Sequence, residues 1–150
     1  MKKQRIYLDN CCYNRPYDDQ SQLRINLEAL AKLEIQQRIR DGKIELVSSY
    51  ILLAENAANR FETRRQDIKA FIDQYTHTFV SDARDQNVKL LAADIMKTGI
   101  KLMDACHVAC ALLADCNCFV STDRRLLKYH SDRMKILNPV TYVVEAEEIL

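Results

Sequence analysis

The chain has 150 residues, enough to bury roughly two thirds of the surface its unfolded form exposes and to fold around one core without staples. Its 22 basic and 21 acidic residues almost cancel, which excludes a global field of the kind that draws a protein to nucleic acid or a membrane, so any such site must be built locally. No apolar stretch approaches the ~20 residues of a bilayer span, and the start MKKQRIYLDN has no signal-peptide core before Asp9, which points to a cytoplasmic protein.

Ile6, Tyr7 and Leu8 form a short apolar strand that runs directly into Asp9 and Asn10, and the following CCYNRPYDDQ reads as irregular. Over 21–40, Leu23, Leu27, Leu30, Ala31, Leu33 and Ile35 recur between charges, the pattern of a long amphipathic helix stopped by Asp41-Gly42. A second strand is expected over 44–47, with Ser48 or Ser49 capping a helix over 50–60. In that helix Glu55 shares a face with Ile51, Leu52 and Ala58, so a carboxylate stands where the helix should meet the sheet. Burying an unpaired charge is costly, which places Glu55 either at the rim or beside a neutralising cation.

A further helix is expected over 64–75 on the stripe Ile68, Phe71 and Ile72, then a third strand over 78–80 and a helix over 87–98 ended by Gly99. Asp104 opens a helix carried by Ala105, Val108, Ala109, Leu112 and Leu113 that should end near Asp115. Cys118, Phe119 and Val120 form a short strand that stops at Ser121, Thr122 and Asp123 before helix formers resume at Arg124. Segments 134–137 and 142–144 supply one or two last strands, and 145–150 reads as a loose acidic tail. With 2 Gly, 2 Pro, no repeat and no linker, residues 1–150 are expected to form one domain.

Six cysteines without a secretory signal are expected to be reduced. Cys106, His107, Cys110, Cys116 and Cys118 invite a zinc site, but their spacing matches no standard CxxC pair, and thiols commonly fill helix–sheet cores. His107 is expected at the helix surface or in a hydrogen bond.

Strands alternating with helices call for right-handed crossovers and a mainly parallel sheet covered on both faces, a three-layer α/β/α domain. Strand ends then gather along one edge, where open α/β sheets bind ligands. Asp9, Glu55, Asp104 and Asp123 can all reach it. Asp104 or Asp123 taken singly would serve as a helix cap. Four carboxylates without matched lysines repel, however, and are stable together mainly around a hard divalent cation such as Mg2+ or Mn2+.

The segments Tyr7-Leu8-Asp9-Asn10, Leu53-Ala54-Glu55, Asp104-Ala105-Cys106-His107-Val108-Ala109 and Ser121-Thr122-Asp123 resemble, in order and spacing, the four acidic motifs of PIN-domain ribonucleases, over nearly the whole chain. That resemblance implies a PIN-like fold, Mg2+ or Mn2+ held by Asp9, Glu55, Asp104 and Asp123, and cleavage of single-stranded RNA. Many small bacterial members are VapC-like toxins inhibited by a partner antitoxin. Asn10-Cys11-Cys12 and the segment 13–22 do not map onto the toxin pattern.

A cation held by carboxylates activates water and screens a phosphodiester, which is the chemistry hydrolysis requires. Thr122 or Asn10 could hydrogen-bond the attacking water or a phosphate. Arg124 and Arg125 follow Asp123, and Arg60, Arg64 and Arg65 follow Glu55, so these cations either line an RNA path or form solvated helix faces. The alternative is a non-cleaving module of the same fold that binds RNA or protein. An aspartyl-phosphate phosphatase would place a second Asp two residues after Asp9, where Cys11 stands. Apolar helix faces in excess of what a monomer needs, and the pairing common among related nucleases, point to a homodimer.

Overall fold

Five strands, β1 (Gln4–Leu8), β2 (Ile44–Ser49), β3 (Thr76–Val80), β4 (Cys118–Val120) and β5 (Lys135–Leu137), form one sheet in the order β3-β2-β1-β4-β5, and every pair is parallel. The structure, a computed structural model, describes residues 3–149. Alternation along the strands divides the core in two. Tyr7, Val47 and Phe119 point to one face, where they pack on α5 (Asp85–Met96) and α6 (Leu102–Leu113). Ile6, Leu8, Leu46, Cys118 and Val120 point to the other, covered by α2 (Leu23–Arg40), α4 (Glu62–Tyr75) and α8 (Pro139–Ile149). The three-layer α/β/α fold expected from the sequence is the one present.

The strand order positions the site. From β1 the chain steps outward to β2 and β3, then returns across the sheet to lay β4 on the other side of β1. The crevice between the carboxyl ends of β1 and β4 is therefore the topological switch point, where α/β sheets bind ligands. Asp9 leaves β1 there, and its amide still donates to the Val120 carbonyl at 2.9 Å, which extends the β1–β4 pairing to the acid itself.

Several expectations are corrected. Residues 142–144 are helical, inside α8, because the Asn138 side chain accepts the Val140 amide at 2.9 Å and Pro139 opens the helix with a φ already set for it. The tail 145–149 continues that helix, and Leu150 lies outside the described residues. The stretch after Asp9 is not irregular: α1 (Asn10–Asn14) starts at once, with Asp9 as its N-cap, and a 3-10 turn, Arg15–Tyr17, follows. Helix α3 (Tyr50–Ala57) stops three residues short of Arg60. In α2, Leu23, Leu27, Leu30 and Leu33 are exposed, while Glu28, Lys32 and Gln36 are buried beside Ala31 and Ile35. Glu28 pairs with Arg15 at 2.9 Å and Arg24 at 3.2 Å and accepts from Asn138, so polar partners rather than hydropathy decide which face turns inward.

Candidate metal centre

Asp9 lies at the floor of the switch-point crevice and is 5% exposed. Its Oδ1 accepts the Asn10 amide at 2.8 Å, and its Oδ2 accepts the Ser121 hydroxyl at 2.9 Å and the Cys11 thiol at 3.4 Å. Burial raises the Asp9 pKa, and Glu55 adds to the rise, while His107 and Ser121 oppose it. Ser121, wholly buried at the end of β4, also accepts the Asp123 amide at 3.0 Å, so one hydroxyl ties the two strand ends together.

Glu55 reaches the crevice from α3, half-buried, with Oε1 at 3.2 Å from His107 Nε2. His107, from the middle of α6, is fully buried. Asp9, Glu55 and His107 each offer one ligand atom, all within 4.8 Å of one another, and among the described residues no other such trio forms. Burial pushes the His107 pKa down, but the Glu55 hydrogen bond and the charges of Asp9, Glu55 and Asp104 outweigh it and raise it.

Asp104 stands one turn before His107 on α6, half-buried, with its pKa raised by burial and by the charges of Asp9 and Asp123. It borders the trio without joining it. It also caps nothing, since α6 begins at Leu102 behind Lys101. Asp123 does cap a helix: its Oδ1 accepts the Arg125 and Leu126 amides of α7 (Arg124–Leu127) at 2.8 and 3.4 Å. The capping role weighed from sequence is thus met at Asp123 and not at Asp104.

Thr122 is buried beside this crevice, with its amide on Cys11 Sγ and its carbonyl accepting from Arg24 at 3.1 Å. Asn10 is half-buried and its side-chain oxygen lies 3.4 Å from Asn14 Nδ2. Among the predicted cations, Arg124 and Arg125 are exposed beside Asp123. Arg60 stacks over Phe61 at 4.9 Å, and Arg64 over Phe61 at 4.3 Å and Tyr17 at 5.2 Å, forming a separate basic and aromatic surface. The cysteines take no part in the trio and are free thiols.

The trio fits a cation. Among the described residues no lysine or arginine pairs with Asp9, Glu55 or Asp104, so His107 is the one titratable base in contact with this negative charge. Carboxylate oxygens and an imidazole nitrogen are ordinary ligands for divalent metals.

The same fold is present in a solved complex. Over 90% of this chain and 98% of the other, the structure superposes with a TM-score of 0.53 and 16% identity on a chain of VapBC2 from Rickettsia felis, crystallised bound to a DNA fragment from its promoter. No protein-family model matches the chain, and no curated protein is similar to it in sequence. At that identity the likeness is one of fold.

The sequence reading missed His107 and Ser121 as parts of this site. The available signal was spacing: His107 follows Asp104 by three residues, which places both on one face of α6.

Proposed function

We propose that the protein is a PIN-like, metal-dependent endoribonuclease spanning residues 1–150 that hydrolyses single-stranded RNA in the cytoplasm. The observation that carries this reading is the buried carboxylate of Asp9 meeting Glu55 and His107 at the switch point, with Asp104 alongside and, among the described residues, no lysine or arginine paired to them. Bound there, Mg2+ or Mn2+ would supply Lewis acidity toward water and the phosphodiester. Asp9, Glu55, Asp104 and Asp123 supply the negative charge that holds the ion. Ser121 fixes the Asp9 rotamer, Thr122 and Asn10 flank the position of a phosphate, and Arg124 and Arg125 neutralise the RNA backbone at the mouth. Arg60 and Arg64, interleaved with Phe61 and Tyr17, offer cations and stacking faces suited to an unpaired strand.

Shared fold with VapBC2 supports a role as the toxin of a toxin–antitoxin pair, with an antitoxin as protein partner. The exposed leucines of α2 support a homodimer. Among the described residues, no helix is long and apolar enough to cross a membrane.

The test is cleavage of end-labelled single-stranded RNA by wild type and Asp9→Asn, with EDTA, Mg2+ or Mn2+. Metal-dependent cleavage that Asp9→Asn abolishes is expected. Wild-type protein that binds the RNA but leaves it intact in every metal would establish the non-cleaving module instead.

A further inference from the structure

His107 is held by both ring nitrogens. Its Nδ1 lies 2.6 Å from the Tyr7 hydroxyl and its Nε2 3.2 Å from Glu55 Oε1. Tyr7 is itself immobilised: its ring stacks on Phe119 with centroids 5.3 Å apart, and its hydroxyl lies 2.7 Å from Ser49 Oγ. Ser49 also accepts the Leu52 amide at 3.1 Å.

This buried chain can be wired in two directions. In the first, Ser49 donates to Tyr7, Tyr7 donates to Nδ1, and Nε2–H donates to Glu55. In the second, Nδ1–H donates to Tyr7 and Tyr7 donates to Ser49. The second leaves the Nε2 lone pair facing Asp9 and Glu55. Both hold the same number of protons, and in both the Tyr7 hydroxyl donates one hydrogen bond and accepts one.

Resting on the metal-centre reading above, we propose that His107 Nε2 is a direct ligand of the bound ion, which makes the centre a mixed carboxylate and imidazole site that prefers Mn2+ to Mg2+. Three features support this. A metal-bound imidazole needs its other N–H held by a fixed acceptor, and Tyr7 is placed to be that acceptor. Asp9, Glu55 and His107 each place one ligand atom within 4.8 Å of the others, so a single ion could take all three. Carboxylates alone suit Mg2+, whereas an imidazole nitrogen shifts selectivity toward transition metals.

The experiment uses the full chain loaded with Mn2+ and reads nitrogen hyperfine coupling by pulsed electron paramagnetic resonance, with natural-abundance and 15N-histidine protein compared. One strongly coupled imidazole nitrogen, converted from the 14N to the 15N pattern by the label, is expected. His107→Gln keeps an amide that can donate to Glu55, so it separates ligation from support. It should lose the coupling and weaken Mn2+ binding about 10–100-fold, with Mg2+ binding changed less than about threefold. Tyr7→Phe should weaken Mn2+ binding in the same direction. Bound Mn2+ without nitrogen coupling, or wild-type Mn2+ affinity in His107→Gln, would overturn the ligand assignment while leaving a carboxylate metal centre standing. Failure of wild type to bind Mn2+ would overturn both. Should His107→Gln fail to fold, the labelled wild-type spectrum decides alone.

Discussion

Asp104 makes no hydrogen bond or ion pair among the described residues, yet it stands half-buried in the field of Asp9 and Asp123. Burial first, and those charges second, raise its pKa above the ordinary 3.8. A carboxyl raised in the folded state contributes stability that is full below its unfolded pKa and is lost as pH rises through the folded value. Asp9 behaves in the same direction, so the metal-free protein should lose stability between acid and neutral pH. At pH 7, metal-free Asp104→Asn should melt at the wild-type temperature or above it, with a gain under about 1 kcal/mol because the group is partly solvent-screened. That advantage should shrink toward pH 4, and stabilisation by Mn2+ should fall in the mutant. Thermal melts across pH with and without Mn2+ test this, and a mutant less stable at pH 7 with full Mn2+ stabilisation would show Asp104 to be structural. The strand-end placement of Asp9 and Asp123 is legible in sequence because apolar runs stop at them. The role of His107 is not, since its Tyr7 partner lies 100 residues away and a histidine among apolar neighbours reads equally well as a core residue.

At the scale of elements, α6 ends in an arrangement that sequence hides. The Cys116 amide reaches the Ala111 carbonyl at 3.0 Å and the Asp115 amide the Leu112 carbonyl at 3.1 Å, a Schellman ending with Asp115 at φ 57° where glycine is usual. Asp115→Gly relieves that left-handed cost and should stabilise the protein by about 0.5–1 kcal/mol, or about 1–4 °C in Tm. An unchanged or lower Tm would show that the Asp115 side chain compensates its backbone. Element type is legible wherever the apolar period is clear, as in α4 and α6. It fails in α8, where Tyr142, Val143 and Val144 have strand-forming side chains but the Asn138 cap and Pro139 commit the backbone to helix. It fails differently in α2, where the helix is foreseen but its inward face is set by the buried Glu28 cluster, a contact made with Arg15 and Asn138 from other elements.

One side of α2 carries a row of exposed leucines, Leu23, Leu27, Leu30 and Leu33, with Leu23 at 72% and Leu30 at 56% exposure. A row of this kind is costly in water, and the proposed homodimer would cover it. Sedimentation at micromolar concentration should give about twice the 17.4 kDa chain mass, and Leu27→Glu with Leu30→Glu should return it to monomer; a wild-type monomer would contradict the homodimer. The β3-β2-β1-β4-β5 order assembles the proposed metal centre from residues far apart in the chain. Calorimetric titration of Mn2+ into metal-free wild type and Asp9→Asn measures it most directly. Wild type should bind Mn2+ and Asp9→Asn should bind it at least about 10-fold more weakly, while equal binding by the two proteins, or none by wild type, would contradict the account.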